Sequence, residues 1–567
     1  MEFADLASSF LPYEDRLEWN EGEVYAIEQS TRAKVMHCAL EVFRTIAIFS
    51  RCALLSIAKF PVYAVRTVCS ISSGKKEEAF DLPISSAQEL ADALPEKVGF
   101  SDSFYQTVGL GTKYSAKKLE GTSNWDKWLT PEHIEGGEQD YHAFFTDVLS
   151  DPVPFVEILR SMGSTAYRFS LEWSVIEIEP GRYNPEAIAI YKNFIRELQQ
   201  AGIEPYVTLH HFVLPEWFEQ LGGFEKLENT DLYARHAIKM MKEFFEVKNW
   251  MTFNEPGVYA FQSCMRGVYP PGLIRKVTAH GTVLRNLLVA HCKTYKAAQE
   301  AKAAGVLAAD VKIGITHQWL KFVAHSGNWV ERVVCFFLSK LTHYVVYDFF
   351  KTGRFALDLP FVSNIRLDVP EEEFEKNQRF LDFIGVQFYG FPQLKIGFNG
   401  GKEFPGTKLG NQSPGINNLC VGNFGFTSGA TCQEGGFVQS FGPSFFPESL
   451  DACLTEAVSL GKPIAITETG CDAKIQHFGS KEWVVDDDAQ KLYFQKIPTI
   501  LAKFKQQIAA FFVWTAVRGH DEWEHGNRGP VLGLITLVKD VNRRITGVVF
   551  SAAAQFIQQA WSIRRLA

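Results

Sequence analysis

Lys248-Asn249-Trp250-Met251-Thr252-Phe253-Asn254-Glu255-Pro256 is a short, largely apolar run that ends on a carboxylate. Runs of this kind read as strands buried on both faces of a parallel sheet. Pro463-Ile464-Ala465-Ile466-Thr467-Glu468-Thr469-Gly470 has the same form. In α/β barrels the working face lies at the carboxyl ends of the strands, so two carboxylates at two such ends converge on one mouth.

Outward from these two runs, strand-like segments alternate with helix-like ones. The strand candidates are 104–110, 166–171, 205–209, 250–253, 311–315, 383–386, 464–467 and 509–514. Amphipathic stretches at 184–200, 231–245, 283–304 and 448–460 separate several of them. Eight alternating units predict an α/β fold: a (β/α)8 TIM barrel over residues 99–567, with long mouth loops and an N-terminal helical extension. No internal repeat is visible. Residues 399–446 are rich in Gly, Ser and Asn and almost uncharged after Lys408, which predicts a functional loop over the mouth.

Before the barrel the charge changes sign. Residues 1–30 hold eight acids and one base, Arg16, and form an acidic tail. Residues 31–73 are apolar and basic, with Arg44, Arg51, Lys59 and Arg66 spaced near two helical turns apart. On a helix these bases form one narrow stripe, interrupted near Pro61. Peripheral membrane contact through 31–73 is the expectation, with a helical hairpin docked on the barrel as the alternative. Residues 74–98 read as a linker.

The net charge of −8 and pI near 6.0 argue against nucleic acid as a partner. The 10 cysteines form no CxxC pair and no Cys/His cluster at zinc spacing, so reduced thiols are expected, and no metal or cofactor. The first residues lack the basic start and small-residue cleavage site of a secretory signal. No uncharged apolar run reaches about 18 residues, so no membrane-spanning helix is predicted. A cytoplasmic location follows, with membrane association through the N-terminal segment. The 47 Phe and 12 Trp suit a carbohydrate-stacking surface and a large aromatic core equally well.

From residue 99 to the carboxyl terminus the sequence resembles glycoside hydrolase family 1, the β-glucosidase-like family. Thr252-Phe253-Asn254-Glu255-Pro256 is similar to its acid/base signature, and Thr467-Glu468-Thr469-Gly470 to its nucleophile signature. Further motifs follow in the family's order: Tyr167-Arg168-Phe169-Ser170 through Trp173, Thr208-Leu209-His210-His211-Phe212, Tyr269-Pro270-Pro271-Gly272, Phe383 through Tyr389, and Glu522-Trp523. The resemblance implies a carbohydrate or glycoside substrate and a retaining mechanism. Glu468 would attack the anomeric carbon, and Glu255 would act first as acid and then as base. Arg168 and Tyr389 would hold and orient Glu468. Asn254 would bind the sugar 2-hydroxyl. His211, Glu522 and Trp523 would hydrogen-bond sugar hydroxyls, and Trp514 would be the platform under the ring.

The sequence also departs from the family. Lys118 stands at the position assigned to a sugar-binding Gln, Val213 replaces an Asp, Thr469 replaces the Asn after the nucleophile, and Gln387 replaces another Asn. Pairing of Lys118 with Glu522 is the first expectation, binding of an anionic or unusual sugar the second. These changes leave the choice of sugar open. Three readings share the motifs: a retaining β-glycosidase, a transglycosylating glycosyltransferase acting on glycolipid or sugar acceptors, and a non-catalytic sugar-binding barrel.

Overall fold

The computed structural model describes residues 82–566 except 109–118, 131–132, 134–147, 325–328, 360–362, 392, 398–424, 429–436, 439–443, 446–448, 472–473, 478–482, 487, 519–531 and 543. The acidic tail and the 31–73 segment lie outside the described residues, as do Lys118, Glu522 and Trp523.

Eight parallel strands close into a barrel in sequence order. They are β1 (Lys97–Asp102), β2 (Ala166–Ser170), β3 (Glu204–Thr208), β4 (Asn249–Asn254), β5 (Lys312–Gln318), β6 (Phe383–Phe388), β7 (Ile464–Thr469) and β8 (Ile508–Trp514). Their interior is filled by Ala166, Tyr206, Met251, Phe383, Ala465, Ala510 and Phe512. Small residues set the spacing of the wall. A Cβ on Gly99 would lie 1.7 Å from the Ala166 carbonyl oxygen, so β1 and β2 approach too closely for any side chain there.

The first strand corrects the sequence reading. The described part of the expected strand, residues 104–108, is not a strand; Phe104–Thr107 is a helical turn. The strand is the less apolar Lys97–Asp102, two residues before the expected barrel boundary. Its burial comes from the closed wall around it, so a run containing Gly99, Ser101 and Asp102 needs no apolar pattern of its own. The Phe104 amide is bonded to Ser170 Oγ at 2.9 Å, which turns the chain off the strand axis. The end of the expected linker is likewise part of the fold. Helix α1 (Ala87–Ala93) is closed by a reciprocal capping box between Ser86 and Glu89 and buries Ala87, Leu90, Ala91 and Ala93.

Outside the wall the helices follow the apolar periodicity. In α2 (Pro185–Gln200), Asn184 Oδ1 caps the Glu186 and Ala187 amides, Pro185 occupies the first turn, and Ile190, Tyr191, Phe194, Ile195 and Leu198 face the core. Helix α3 (Asn229–Glu243) packs on the long α5 (Val277–Ala303), while the short α4 (Pro256–Cys264) begins directly after Glu255. After β5, α6 (Trp329–Ser339) runs through a π-helical turn, Lys340–Tyr344, into α7 (Val345–Thr352). By length and composition Arg332–Thr352 is apolar enough to cross a membrane, yet 61% of its most apolar window is buried, as in the core helix of a soluble fold. Helix α8 (Ser449–Val458) precedes β7, and the terminal α9 (Ala552–Leu566) packs on α1. Within 399–446, Gly425–Ser428 pairs antiparallel with Gln393–Gly397, which in turn pairs with Val323–Ala324 beyond the end of β5.

Candidate active site

The strand ends bring together residues 300 positions apart. Arg168 on β2 is fully buried. Its guanidinium donates from Nε to Thr208 Oγ1 at 3.1 Å, from Nη1 to Glu468 Oε1 at 2.5 Å, and from Nη2 to Asn254 Oδ1 at 2.6 Å. Tyr389, the residue after β6, donates its hydroxyl to Glu468 Oε2 at 2.7 Å. Each oxygen of Glu468 therefore has a donor, one of them a fixed cation.

Glu255 stands at the end of β4 with φ +43°, a left-handed conformation that a side-chain-bearing residue adopts only when its surroundings impose it. Its amide donates to the Thr316 carbonyl at 2.8 Å and its carbonyl accepts the Tyr259 amide at 2.9 Å, so the backbone is pinned on both sides. Among the described residues no side chain donates to its carboxyl. Burial and the neighbouring Glu468 charge raise the Glu255 pKa well above the usual carboxyl range, with Arg168 opposing. Burial raises Glu468 too, but Arg168 and Tyr389 pull it back. The surroundings therefore favour the proton on Glu255 and the negative charge on Glu468.

Asn254 is oriented by two donors on its Oδ1, Arg168 Nη2 and Gln387 Nε2, the latter at 2.8 Å. That leaves its Nδ2 to donate. Gln387 spans this gap because its side chain is one carbon longer than the Asn of the family pattern. Thr469, another departure, ties β7 to the Phe388 carbonyl at 3.0 Å and contacts the Tyr493 hydroxyl. Two strand irregularities bring these groups opposite one another: β6 shifts register between Val386 and Gln387 against β7, and β4 between Met251 and Asn254 against β5.

Trp514 ends β8 and its ring stacks beside His211 at a centroid distance of 5.6 Å. Burial, Arg168 and His210 hold His211 well below the ordinary imidazole range, so it meets a ligand as a neutral ring. Beyond His211 lies a small cleft lined by Tyr105, Gln106, Trp125, Phe212, Val213 and Tyr269. Gln106 was not singled out in the sequence because the Lys118-Leu119-Glu120-Gly121 stretch drew the family's Gln position there. It lies just after β1 and lines the same cleft as His211. Asp102 was also missed: it accepts from Tyr167 at 2.7 Å and from Thr515, and burial raises it to about 7. Its signal was a carboxylate at the end of a strand that the apolar pattern did not reveal.

The model of glycosyl hydrolase family 1 matches residues 100–396, just over half of the chain. The chain belongs to glycosyl hydrolase family 1. Membership makes it an O-glycosyl hydrolase, a retaining β-glycosidase. Among curated relatives of this family 1 member, the 6-phospho-β-galactosidase of Staphylococcus haemolyticus is 25% identical over 74% of the chain and 90% of its own length. β-Glucosidase 1 of Oryza sativa is 35% identical, over 34% of the chain and 37% of its own length. A rice β-glucosidase structure superposes with a TM-score of 0.65 at 21% identity, covering 82% of the chain and 98% of its own. The β-glucosidase of Thermotoga maritima with bound deoxynojirimycin gives 0.62 at 21% identity, covering 83% and 98%. These likenesses carry the fold past residue 396 to the strand that holds Glu468.

Proposed function

We propose that Glu468 is the nucleophile and Glu255 the acid/base residue of this β-glycosidase, acting on a β-glucoside- or β-galactoside-like substrate. The observation that carries the assignment is the inequality of the two carboxyls. Glu468 receives a cation and a phenol and stays ionised for attack on the anomeric carbon. Glu255 receives neither and keeps the proton that the departing oxygen needs. Once the aglycone has left, Glu255 is a carboxylate and takes a proton from the incoming water, which releases the sugar from Glu468. In this scheme Asn254 Nδ2 donates to the 2-hydroxyl, and His211, Gln106 and Trp514 hold the rest of the ring. A purely sugar-binding barrel has no use for this asymmetry.

A panel of nitrophenyl β-glycosides tests the reading, with products separated by thin-layer chromatography with and without a glycolipid acceptor. The panel includes a 6-phospho-β-galactoside, since a relative bears that activity in its name. Free sugar is the expected product. Glycosylated acceptor in its place assigns the chain to transfer, and no turnover of any substrate overturns the reading.

A cytoplasmic location with peripheral membrane contact through residues 31–73 accompanies this proposal. It is supported by the apolar run and its stripe of Arg44, Arg51, Lys59 and Arg66, each base worth about 1 kcal/mol near an anionic surface. Flotation with anionic liposomes at low salt is expected for the full chain and not for a chain starting at Leu82, which keeps α1 and β1. Equal, poor flotation of both removes the membrane contact.

A further inference from the structure

Behind Glu255, on the outer side of the barrel wall, runs a chain of buried hydrogen bonds that the reaction scheme does not use. His317 near the end of β5 meets His343 of the π-helical turn, Nε2 to Nδ1, at 3.0 Å. His343 Nε2 meets Glu456 Oε2 of α8 at 3.1 Å, and Lys321 donates to Glu456 Oε1 at 2.6 Å. Both imidazoles are buried, while Glu456 is about a quarter exposed, so the chain leads from the surface inward. Burial opposes ionisation of Glu456, but His343 and Lys321 bring it down to about 2, so the carboxylate is an acceptor only. His343 then carries its proton on Nε2 and presents a bare Nδ1, and His317 must donate to it from Nε2. Both tautomers are fixed by the far carboxylate.

The inner end of the chain touches the element that carries the acid/base carboxyl. The Glu255 amide rests on the carbonyl of Thr316, the residue before His317. Gly257, in the first turn of α4, is wedged against the π-helical turn: a Cβ there would lie 2.2 Å from the Thr342 carbonyl oxygen and 3.7 Å from His317 Cε1. The π-helical turn is an uncommon backbone form that re-aims side chains. Here it carries both Thr342, against Gly257, and His343, against His317. The strained Glu255 backbone is therefore held between β5 and this turn, and the His317–His343 bond joins the two.

Resting on the assignment of Glu255 as the acid, we infer that His317 is a positioning residue for Glu255, locked in place by His343 and Glu456. It touches neither substrate nor reacting atoms. It sets where the acid's proton lies relative to the departing oxygen, a placement to which rate is steeply sensitive.

The test compares kcat/KM for an alkyl β-glycoside, whose leaving oxygen needs a proton, with that for a 2,4-dinitrophenyl β-glycoside, whose leaving group does not. In His317→Phe the alkyl-to-dinitrophenyl ratio is expected to fall by about 10- to 100-fold. In His317→Gln, which keeps a donor near the Nε2 position, most of the ratio is expected to return. Glu456→Ala, at the partly exposed end, provides a variant less exposed to folding failure and is expected to shift the ratio in the same direction. A ratio that stays within about 3-fold of wild type in Glu456→Ala and in soluble His317→Phe assigns the network to stability alone and overturns the inference, since displaced acids cost more than that. A wild-type chain inactive on both substrates overturns the glycosidase assignment and this inference with it.

Discussion

Glu468 and Glu255 have the same side chain, and the opposite tasks proposed for them rest on what surrounds each. Arg168 donates to Glu468, and among the described residues no cation donates to Glu255. Glu468→Gly is expected to lower kcat by at least about 10⁴-fold, because no covalent intermediate forms. The same variant is expected to turn over a glycosyl fluoride of inverted configuration, which stands in for that intermediate, and chromatography of transfer products checks it. Glu255→Ala is expected to cut kcat/KM for alkyl glycosides by about 10²–10⁴-fold while sparing dinitrophenyl glycosides, with added azide restoring turnover. The pH profile follows from the raised Glu255 pKa. With Glu255 as the proposed acid, activity requires its protonated form, so kcat/KM is expected to fall as pH rises through that pKa. The alkaline limb should disappear in Glu255→Ala when dinitrophenyl glycoside is the substrate. A limb that persists assigns the titration to another group.

Elements position these residues through close backbone contact more than through side-chain bulk. Strands β1 and β2 meet at Gly99, where a methyl group would collide with the Ala166 carbonyl. Arg168 lies two residues further along β2, paired in register with Ser101. Gly99→Ala is therefore expected to destabilise the barrel by about 1–3 kcal/mol and to lower activity by displacing Arg168, checked by urea midpoint together with kcat. Full activity at wild-type stability would show that the wall can spread. The same packing explains why residues 82–98 belong to the fold: α1 lies on α9, and β1 continues directly from it.

At the scale of the whole molecule, the barrel carries buried carboxyls beyond the reacting pair. Glu172 follows β2 and accepts from the Ser174 amide at 3.2 Å and the Ser174 hydroxyl at 2.7 Å. Burial raises it to about 8 against those bonds. Its pKa in the unfolded chain is the ordinary carboxyl value, so between that value and about 8 the folded state binds the extra proton. Its contribution to stability is complete below the usual carboxyl range and is lost as pH rises through about 8. Asp102, raised to about 7, has the same sign. The urea midpoint is expected to fall between about pH 5 and pH 8, with a loss on the order of a few kcal/mol, because each tenfold difference in proton affinity between the folded and unfolded chain is worth about 1.4 kcal/mol. The fall is expected to be smaller in Glu172→Gln. An identical decline in both proteins would place the titration elsewhere.

The sequence by itself determined the barrel, seven of its eight strands and the carboxylates at the ends of β4 and β7. Each of those strands contains a short apolar run, a local pattern that burial on both faces favours. It did not reveal β1, because a strand enclosed by neighbours and lined by Gly99 and Ser101 carries no such pattern. Beyond Arg168 and Tyr389 on Glu468, which the resemblance implied and the structure shows, it did not reveal which partners the polar residues take. Gln387 on Asn254, Thr469 on Tyr493, Gln106 in the cleft beside His211, and the His317–His343–Glu456 chain all join positions distant in sequence. Only the tertiary structure decided these, since register shifts, a left-handed Glu255 and a π-helical turn arise from the closure of the wall. Hydrophobic periodicity is written residue by residue along the chain; hydrogen-bond partnership is fixed only when the strands have met.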